Sequence, residues 1–220
     1  MAYMLERFGM IPNASRYYFL SRSQPPFFLH MVDLALGVKR LRGDADNDIW
    51  LARMLTLAEA EHESVWHGTA QPHHRLVHAG LSRYFDINFL DMLASCESGW
   101  DHSTRCDDRW LSFLPVDLNS ILYAREVKMA EFAARLDDDA RAAAWQARAE
   151  TRAETMRGIF WNEEKAFFLD YDYKAGVHDP TPSLAGFYPL WAGWATEEQA
   201  QRTVERWLPR GHSHSELIFE

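Results

Sequence analysis

Two adjacent prolines, Pro25 and Pro26, set the first hard constraint on this chain. No helix runs through such a pair, because each proline lacks an N–H and forces the residue before it toward extended backbone; Pro26 can only open a new helix in its first turn. Beyond them, Phe27, Phe28, Met31, Val32, Leu34, Ala35, Val38 and Leu41 recur at helical spacing over 27–42. Gly43-Asp44-Ala45-Asp46 reads as a capped start, and Ile49, Leu51, Ala52, Leu55, Ala58 and Val65 repeat the pattern over 47–67. Glu59, Glu61 and Glu63 along that helix read as a solvated face. A short helical piece within 1–16 precedes these two, and another is expected around Phe89–Ser95. Longer helices follow from Pro115 to about Leu136 and over 139–158, closing at Gly158, then shorter ones around Ala185–Trp191 and over Glu197–Leu208. Helices in series, joined by short turns alternating with long irregular loops, predict an all-α fold of stacked helix pairs, an α/α barrel or toroid. Extended chain is expected only as a short hairpin near Phe167–Tyr173. Residues 1–220 read as one domain.

The charge balance narrows the partners. A net charge of −9 leaves no basic field to displace phosphate counterions, which disfavours a nucleic-acid ligand. No apolar run reaches the roughly eighteen residues a membrane span needs, and the first residues lack the basic and apolar regions of a signal peptide. Cys96 and Cys106 are too few for a disulfide scaffold and read as free thiols in a reducing compartment, so a cytoplasmic protein is expected. Oligomeric state leaves no mark here. Aromatic residues reach 14%, with nine tryptophans, which mildly favours a carbohydrate ligand because indole and phenol rings offer flat apolar faces to sugars.

Chemistry concentrates in the long loops, where binding residues usually sit. Cys96-Glu97-Ser98-Gly99-Trp100-Asp101-His102-Ser103-Thr104-Arg105 packs two carboxylates, a glycine and a large aromatic into a few positions. A carboxylic acid protonates a glycosidic oxygen, tryptophan stacks on a pyranose ring, and glycine lets the backbone turn tightly beside them. His62, His67, His73, His74 and His78 invite a zinc reading, but neither an HExxH order nor a CxxC pair accompanies them. They are read as loop histidines; no metal and no cofactor is expected.

Taken together, the motifs resemble the trehalase-type glycoside hydrolases, enzymes of the (α/α)6-barrel architecture. Ile11-Pro12-Asn13-Ala14-Ser15-Arg16 is similar to the family's IPNGxR turn, Arg22-Ser23-Gln24-Pro25-Pro26 to its RSQPP element, and Glu97 through Arg105 to its ESGWDxSxR signature. Pro115-Val116-Asp117-Leu118-Asn119 is similar to its PVDLN helix start. The resemblance implies Asp101 as general acid, with Asn13, Arg22, Gln24, Gly99 and Trp100 contacting a saccharide. Glu97 is expected to support a neighbouring arginine or backbone group. Two family elements are missing: a Trp-Asp element before the first turn, and an RPESY stretch, in whose place stands Gly80-Leu81-Ser82-Arg83-Tyr84-Phe85-Asp86. The implied substrate is therefore trehalose or a related small α-glucoside. The implied general base falls beyond Glu220, and seven or eight helices fall short of the twelve of a full barrel, so the chain reads as part of a longer domain. Asp86, Asp107, Glu163 and Asp170 are the carboxylates within the chain that could serve as base instead; without a base, a helical protein that binds saccharide without hydrolysing it is the rival reading.

Overall fold

A computed structural model describes residues 1–43, 47–71, 74–101 and 103–208. Eight α-helices among these residues form the body: α1 Ala2–Phe8, α2 Phe28–Arg42, α3 Asn47–Glu61, α4 Asp91–Ser98, α5 Val116–Arg135, α6 Asp139–Phe160, α7 Tyr188–Ala192 and α8 Glu197–Trp207. They pair as hairpins, α2 with α3 and α5 with α6, and α5 also packs on α2, α3 and α7, so it is the central post of the layer. One core joins Phe28, Leu29, Val32 and Leu36 of α2 to Leu51, Met54, Leu55 and Ala58 of α3 and to Met129, Phe132 and Ala133 of α5. A second core, with Trp66, Tyr84, Phe85, Trp110, Phe113 and Leu122, lies beneath the long loops. The all-α expectation and the helix-pair grammar hold, and the fold is part of an (α/α)6 toroid.

Several details differ from the sequence reading. Gly158 does not end α6, which continues to Phe160 before Trp161 turns extended. Over 47–67 the regular helix stops at Glu61 and passes into a wider π-type turn, His62–Trp66. The motif helix α4 starts later and reaches further than expected, so Cys96, Glu97 and Ser98 lie in its last turn. Strands are more numerous than the single hairpin expected. Leu76–His78 (β1) pairs with Leu81–Ser82 (β2); Phe113–Leu114 (β3) pairs with Tyr171–Asp172 (β6), which pairs with Val177–His178 (β7); Trp161–Asn162 (β4) pairs with Phe167–Phe168 (β5), all antiparallel. Two- and three-residue strands leave too short an alternation to be seen in a sequence. The expected cap at Asp44–Asp46, and His73 and His102, fall outside the described residues.

The solvated glutamate face is also corrected. Glu61 is buried, accepting the Ile11 N–H at 3.3 Å and the Arg125 guanidinium at 2.7 Å. Glu59 holds Arg141 and the Trp145 indole, and Glu63 holds Arg148. The acidic side of α3 is thus the seam that binds α1's exit, α5 and α6 together. Beside it, His62 is a buried residue and no loop histidine. Its Nε2 lies 3.1 Å from Glu126, whose oxygens also accept Arg152 at 2.8 and 2.9 Å.

Burial holds the His62 imidazole down at about 3. Burial works against the Glu126 charge, but Arg152 and His62 keep that carboxyl well below the usual carboxylate range. Both groups are easier to protonate once unfolded, where histidine titrates near 6.5 and glutamate near 4.5. The unfolded chain therefore binds more protons, and the stability present above pH 6.5 is lost as pH falls toward 3. Unfolding free energies from urea titrations between pH 7 and pH 4 are expected to fall by up to about 1.4 kcal/mol per pH unit for the histidine. His62→Gln, which keeps a donor toward Glu126, is expected to flatten the slope between pH 6.5 and 5; an unchanged slope would remove His62 from the account.

Candidate functional site

The site is built around a carboxylate that does not face solvent. Glu97, fully buried in the last turn of α4, accepts the Ser23 N–H and the Phe85 N–H, each at 2.7 Å. It also takes the Arg75 guanidinium through both oxygens, with Nε at 3.1 Å. The ribbon and both flanks of the β1–β2 hairpin are thereby fixed to one side chain, which is the supporting role expected for it. Gly99 then ends the helix at φ 77°, a left-handed cap that costs a side-chain-bearing residue strain. No atom lies within 4 Å of where its Cβ would be, so the glycine serves the turn and not a close approach.

The two upstream motifs form a narrow ribbon against this turn. The Asn13 N–H donates to the Arg22 carbonyl at 3.1 Å and the Gln24 N–H to the Ile11 carbonyl at 2.8 Å, around a bridge between Pro12 and Ser23. The ribbon is pinned to α4 by the Asn13 side-chain amide, which donates to the Cys96 carbonyl at 3.0 Å across 83 positions of sequence. The Gln24 amide donates in turn to the Asn13 carbonyl. Arg22 is buried, with one terminal nitrogen 3.0 Å from Asp86 and its guanidinium over the Phe19 ring at 5.1 Å. Its Nε is buried without a hydrogen-bond partner among the described residues. Although burial opposes it, hydrogen bonds from Ser21, Asn88 and Arg22 hold the Asp86 carboxyl below its ordinary value.

Asp101 is exposed. Burial, then the Asp101 charge and a hydrogen bond to that carboxylate, push the Cys96 thiol up, while Arg22 pulls it down. The ribbon of Asn13, Arg22 and Gln24 is thus tied to the last turn of α4, from which the chain runs on through Gly99 and Trp100 to Asp101. Cys96 and Cys106 are both free thiols.

Trp100 is held from two sides. Its indole N–H donates to Asp117 at 2.8 Å, and the Arg105 guanidinium lies 4.8 Å from its ring centre. Arg105 is buried between Trp100 and Trp110 and reaches Asp170 at 2.9 and 3.0 Å and Asp117 at 2.9 Å. The Tyr84 hydroxyl completes the set by donating to Asp117 at 3.0 Å. Trp100 is half-buried and also packs against two hydrophobic clusters, one with Trp110 and Leu118 and one with Leu114 and Phe168. Sequence reading misses Asp117 and Tyr84 and sees in Asp170 only a possible base. The available signal is the aspartate in the first turn of the PVDLN helix, which by itself reads as a helix start. The next turn shows the same economy: Asn119 accepts the Ser82 N–H at 2.9 Å and donates to the Ser82 carbonyl at 2.8 Å, fixing β2 to α5.

Downstream, Cys106, Asp107 and Asp108 take φ of 62°, 48° and 53°, a left-handed run of three residues that bear side chains. It is pinned by the Cys106 N–H on Asp179 at 2.8 Å and by Arg109 on Asp172 at 2.7 Å. Of the alternative bases, Asp86 and Asp170 are committed to arginines, Glu163 lies on Arg202, and Asp107 is exposed beside Arg109. Two groups of donors are close enough to suggest a metal, His62 with His67 and Glu126, and Cys106 with Asp170 and Asp179. Arg152 already occupies Glu126 and touches His67, and Arg105 occupies Asp170. Burial raises the Cys106 thiol well above its usual range, and a thiol that keeps its proton is a poor ligand. Neither group suits a cation.

Comparison with known proteins follows the same lines. The model of the family described as Trehalase matches residues 1–86 and 86–220. A protein named probable trehalase in Eremothecium gossypii is 30% identical over 94% of this chain and 35% of its own length. The cytosolic neutral trehalase of Saccharomyces cerevisiae is 31% identical over 94% of this chain and 35% of its own, and the periplasmic trehalase of Pseudomonas aeruginosa 31% identical over 93% and 44%. The solved neutral trehalase Nth1 from Saccharomyces cerevisiae superposes with a TM-score of 0.81 at 28% identity, covering 94% of this chain and 48% of that one. A GH63 mannosylglycerate hydrolase from Thermus thermophilus shares the fold at a TM-score of 0.63 and 18% identity, covering 86% of this chain and 54% of that one. The chain spans less than half the length of the curated trehalases it matches. The Eremothecium alignment runs over 265 positions but takes in 94% of 220 residues, about 207, so about 58 positions have no counterpart here. The two matched blocks meet at Asp86.

The Glu97 clamp generates a direct expectation. Glu97→Gln keeps the shape but leaves Arg75 buried without its counter-charge, which typically costs about 3 kcal/mol or more. Urea unfolding of the variant is the measurement, and a midpoint equal to that of the parent would show the clamp to be dispensable.

Proposed function

The chain belongs to the trehalase family, and from that premise we propose that it carries the acid side of the active site of an inverting glycoside hydrolase acting on trehalose or a related small α-glucoside. The observation that carries this reading is the Asn13 amide on the Cys96 carbonyl at 3.0 Å, which ties the ribbon bearing Arg22 and Gln24 to the helix end that leads into Trp100 and Asp101. Asp101 would donate its proton to the glycosidic oxygen as the bond to the sugar breaks. Asn13, Arg22 and Gln24 would bind sugar hydroxyls, Gly99 would set the turn, and Trp100 would wall the pocket. Inversion needs a second carboxylate roughly 6.5–9.5 Å from the acid, with water between them. The commitment of Asp86 and Asp170 to buried arginines favours a base outside these 220 residues. The same observation supports the runner-up, a chain that binds saccharide without cleaving it.

The two free thiols support a reducing compartment, and we place the protein in the cytoplasm on that ground. Relatives are named both cytosolic and periplasmic. No helix among the described residues is long and apolar enough to cross a membrane.

The test offers trehalose and other α-glucosides to the 220-residue chain and to a version extended through the adjoining downstream reading frame. Turnover is expected from the extended form, with kcat reduced by about 10²–10⁴-fold in its Asp101→Asn variant. Robust turnover by the 220-residue chain would overturn the placing of the base, and turnover that survives Asp101→Asn would remove Asp101 from the chemistry.

A further inference from the structure

Asp101 is exposed, and a proton donor on an exposed turn is only as well placed as the backbone that carries it. What holds that backbone lies on both sides of Asp101. Before it, Trp100 gives its backbone N–H to the Ser98 hydroxyl at 3.0 Å and its indole N–H to Asp117 Oδ2 at 2.8 Å. After it, Arg105 gives a terminal nitrogen to the other oxygen, Asp117 Oδ1, at 2.9 Å. The two arms also meet directly: the Arg105 guanidinium lies 4.8 Å from the Trp100 ring centre, and the Ser103 N–H donates back to the Trp100 carbonyl at 3.2 Å. One carboxylate, buried in the first turn of α5, thus takes both ends of the turn that bears the acid, one end on each oxygen. Its own orientation is set by the buried Tyr84 hydroxyl, which donates to Oδ2 at 3.0 Å.

We propose that Asp117 is a positioning residue for the acid: by closing the turn between Trp100 and Arg105 it fixes where the Asp101 carboxyl group stands against the glycosidic oxygen, and Tyr84 in turn fixes Asp117. The inference rests on the reading of Asp101 as general acid. Asp117 takes no part in the chemistry itself, because it is buried and its oxygens are occupied by an indole, a phenol and a guanidinium. Its task differs from that of Glu97, which fixes the ribbon and the flanks of the β1–β2 hairpin to the last turn of α4, before Gly99. A carboxylate is needed for it. Asparagine has a single acceptor oxygen, so it serves one arm and turns its own N–H groups on the donor of the other. Arg105 keeps Asp170 as a counter-charge at 2.9 and 3.0 Å, so Asp117→Asn loosens the turn without leaving a buried cation unpaired.

Asp117→Asn and Tyr84→Phe test this with two readouts. In the 220-residue chain, amide relaxation NMR reads the order of Asp101, Ser103 and Thr104, and hydrogen exchange reads the Trp100 indole, whose cross-peak is the one missing from Trp100→Phe. Asp117→Asn is expected to lower the order of those three amides and to speed Trp100 indole exchange about tenfold. The indole cross-peaks of Trp50, Trp145 and Trp207, on other helices, stay in place and report that the variant is folded. In the version extended downstream, kcat on trehalose falls about 10²-fold in Asp117→Asn while KM stays within about threefold, because the ribbon is held by Glu97. Tyr84→Phe, which leaves both arms bonded, shows the same pattern with a loss of about fivefold, and it carries the test should Asp117→Asn fail to fold. A folded variant whose turn is as ordered as the parent's, or whose kcat lies within about twofold of it, overturns the role of Asp117 and leaves the proposed function standing. A rise in KM at unchanged kcat also overturns it, since the residue then serves binding alone. An extended parent that turns over no α-glucoside overturns the proposed function itself, and this inference with it.

Discussion

A single buried carboxylate, Glu97, is what the loop end of this molecule depends on. Its two oxygens take one guanidinium and two backbone N–H groups, from Arg75, Ser23 and Phe85. Charge-assisted hydrogen bonds to a buried carboxylate are strong when all are made and costly when one is missing. The three segments therefore hold their positions together or not at all. Because α4 carries both Glu97 and the turn into Trp100 and Asp101, the geometry of the exposed acid follows from a residue that never meets solvent.

Behind this clamp lies a second buried ionic layer with a different task. Arg105 bridges Asp117 at the start of α5 and Asp170 next to β6, and its flat guanidinium fills the space between two indoles. Burial pushes the Asp170 carboxyl up while Arg105 pulls it down, so that carboxylate depends on its partner to stay charged. Arginine suits this place where lysine would not, because only a planar fork serves two carboxylates and two ring faces at once. That side chain ties the helix layer to the small sheet β3-β6-β7, beside the Val116 N–H of α5, which donates to Asp170 at 2.8 Å.

Much of this is legible in the sequence. The helices α2 and α3 announce themselves because apolar residues must recur every three or four positions to bury one face, while α5 is legible from its proline-led start and α6 from a long stretch rich in alanine, arginine and glutamate. The ribbon and the turn at Gly99 are legible as motifs, since a particular order of proline, asparagine, arginine and glycine has few uses. What stays hidden is pairwise and distant. Nothing near Glu61 says that Arg125 neutralises it, and nothing near His62 says that Glu126 and Arg152 enclose it. Charged residues on a helix look alike in sequence whether they meet water or a counter-charge from another helix. The strands β1 to β7 are hidden for another reason: at two or three residues each, they are made by tertiary pairing and not by local pattern.

The left-handed run Cys106–Asp108 ties these parts together mechanically. One turn of mirror-image backbone is held against its natural handedness. Both of its restraints, Asp172 and Asp179, belong to the far hairpin of β6 and β7. That hairpin acts as a latch on a compressed spring. A local opening of residues 170–179 would free the run to unwind, and with it Asp170, one of the two anchors of Arg105. The guanidinium backing Trp100 would then have only Asp117 to hold it. Fluctuations of this hairpin are in this way felt at the Trp100 indole, through stored backbone twist and a shared arginine.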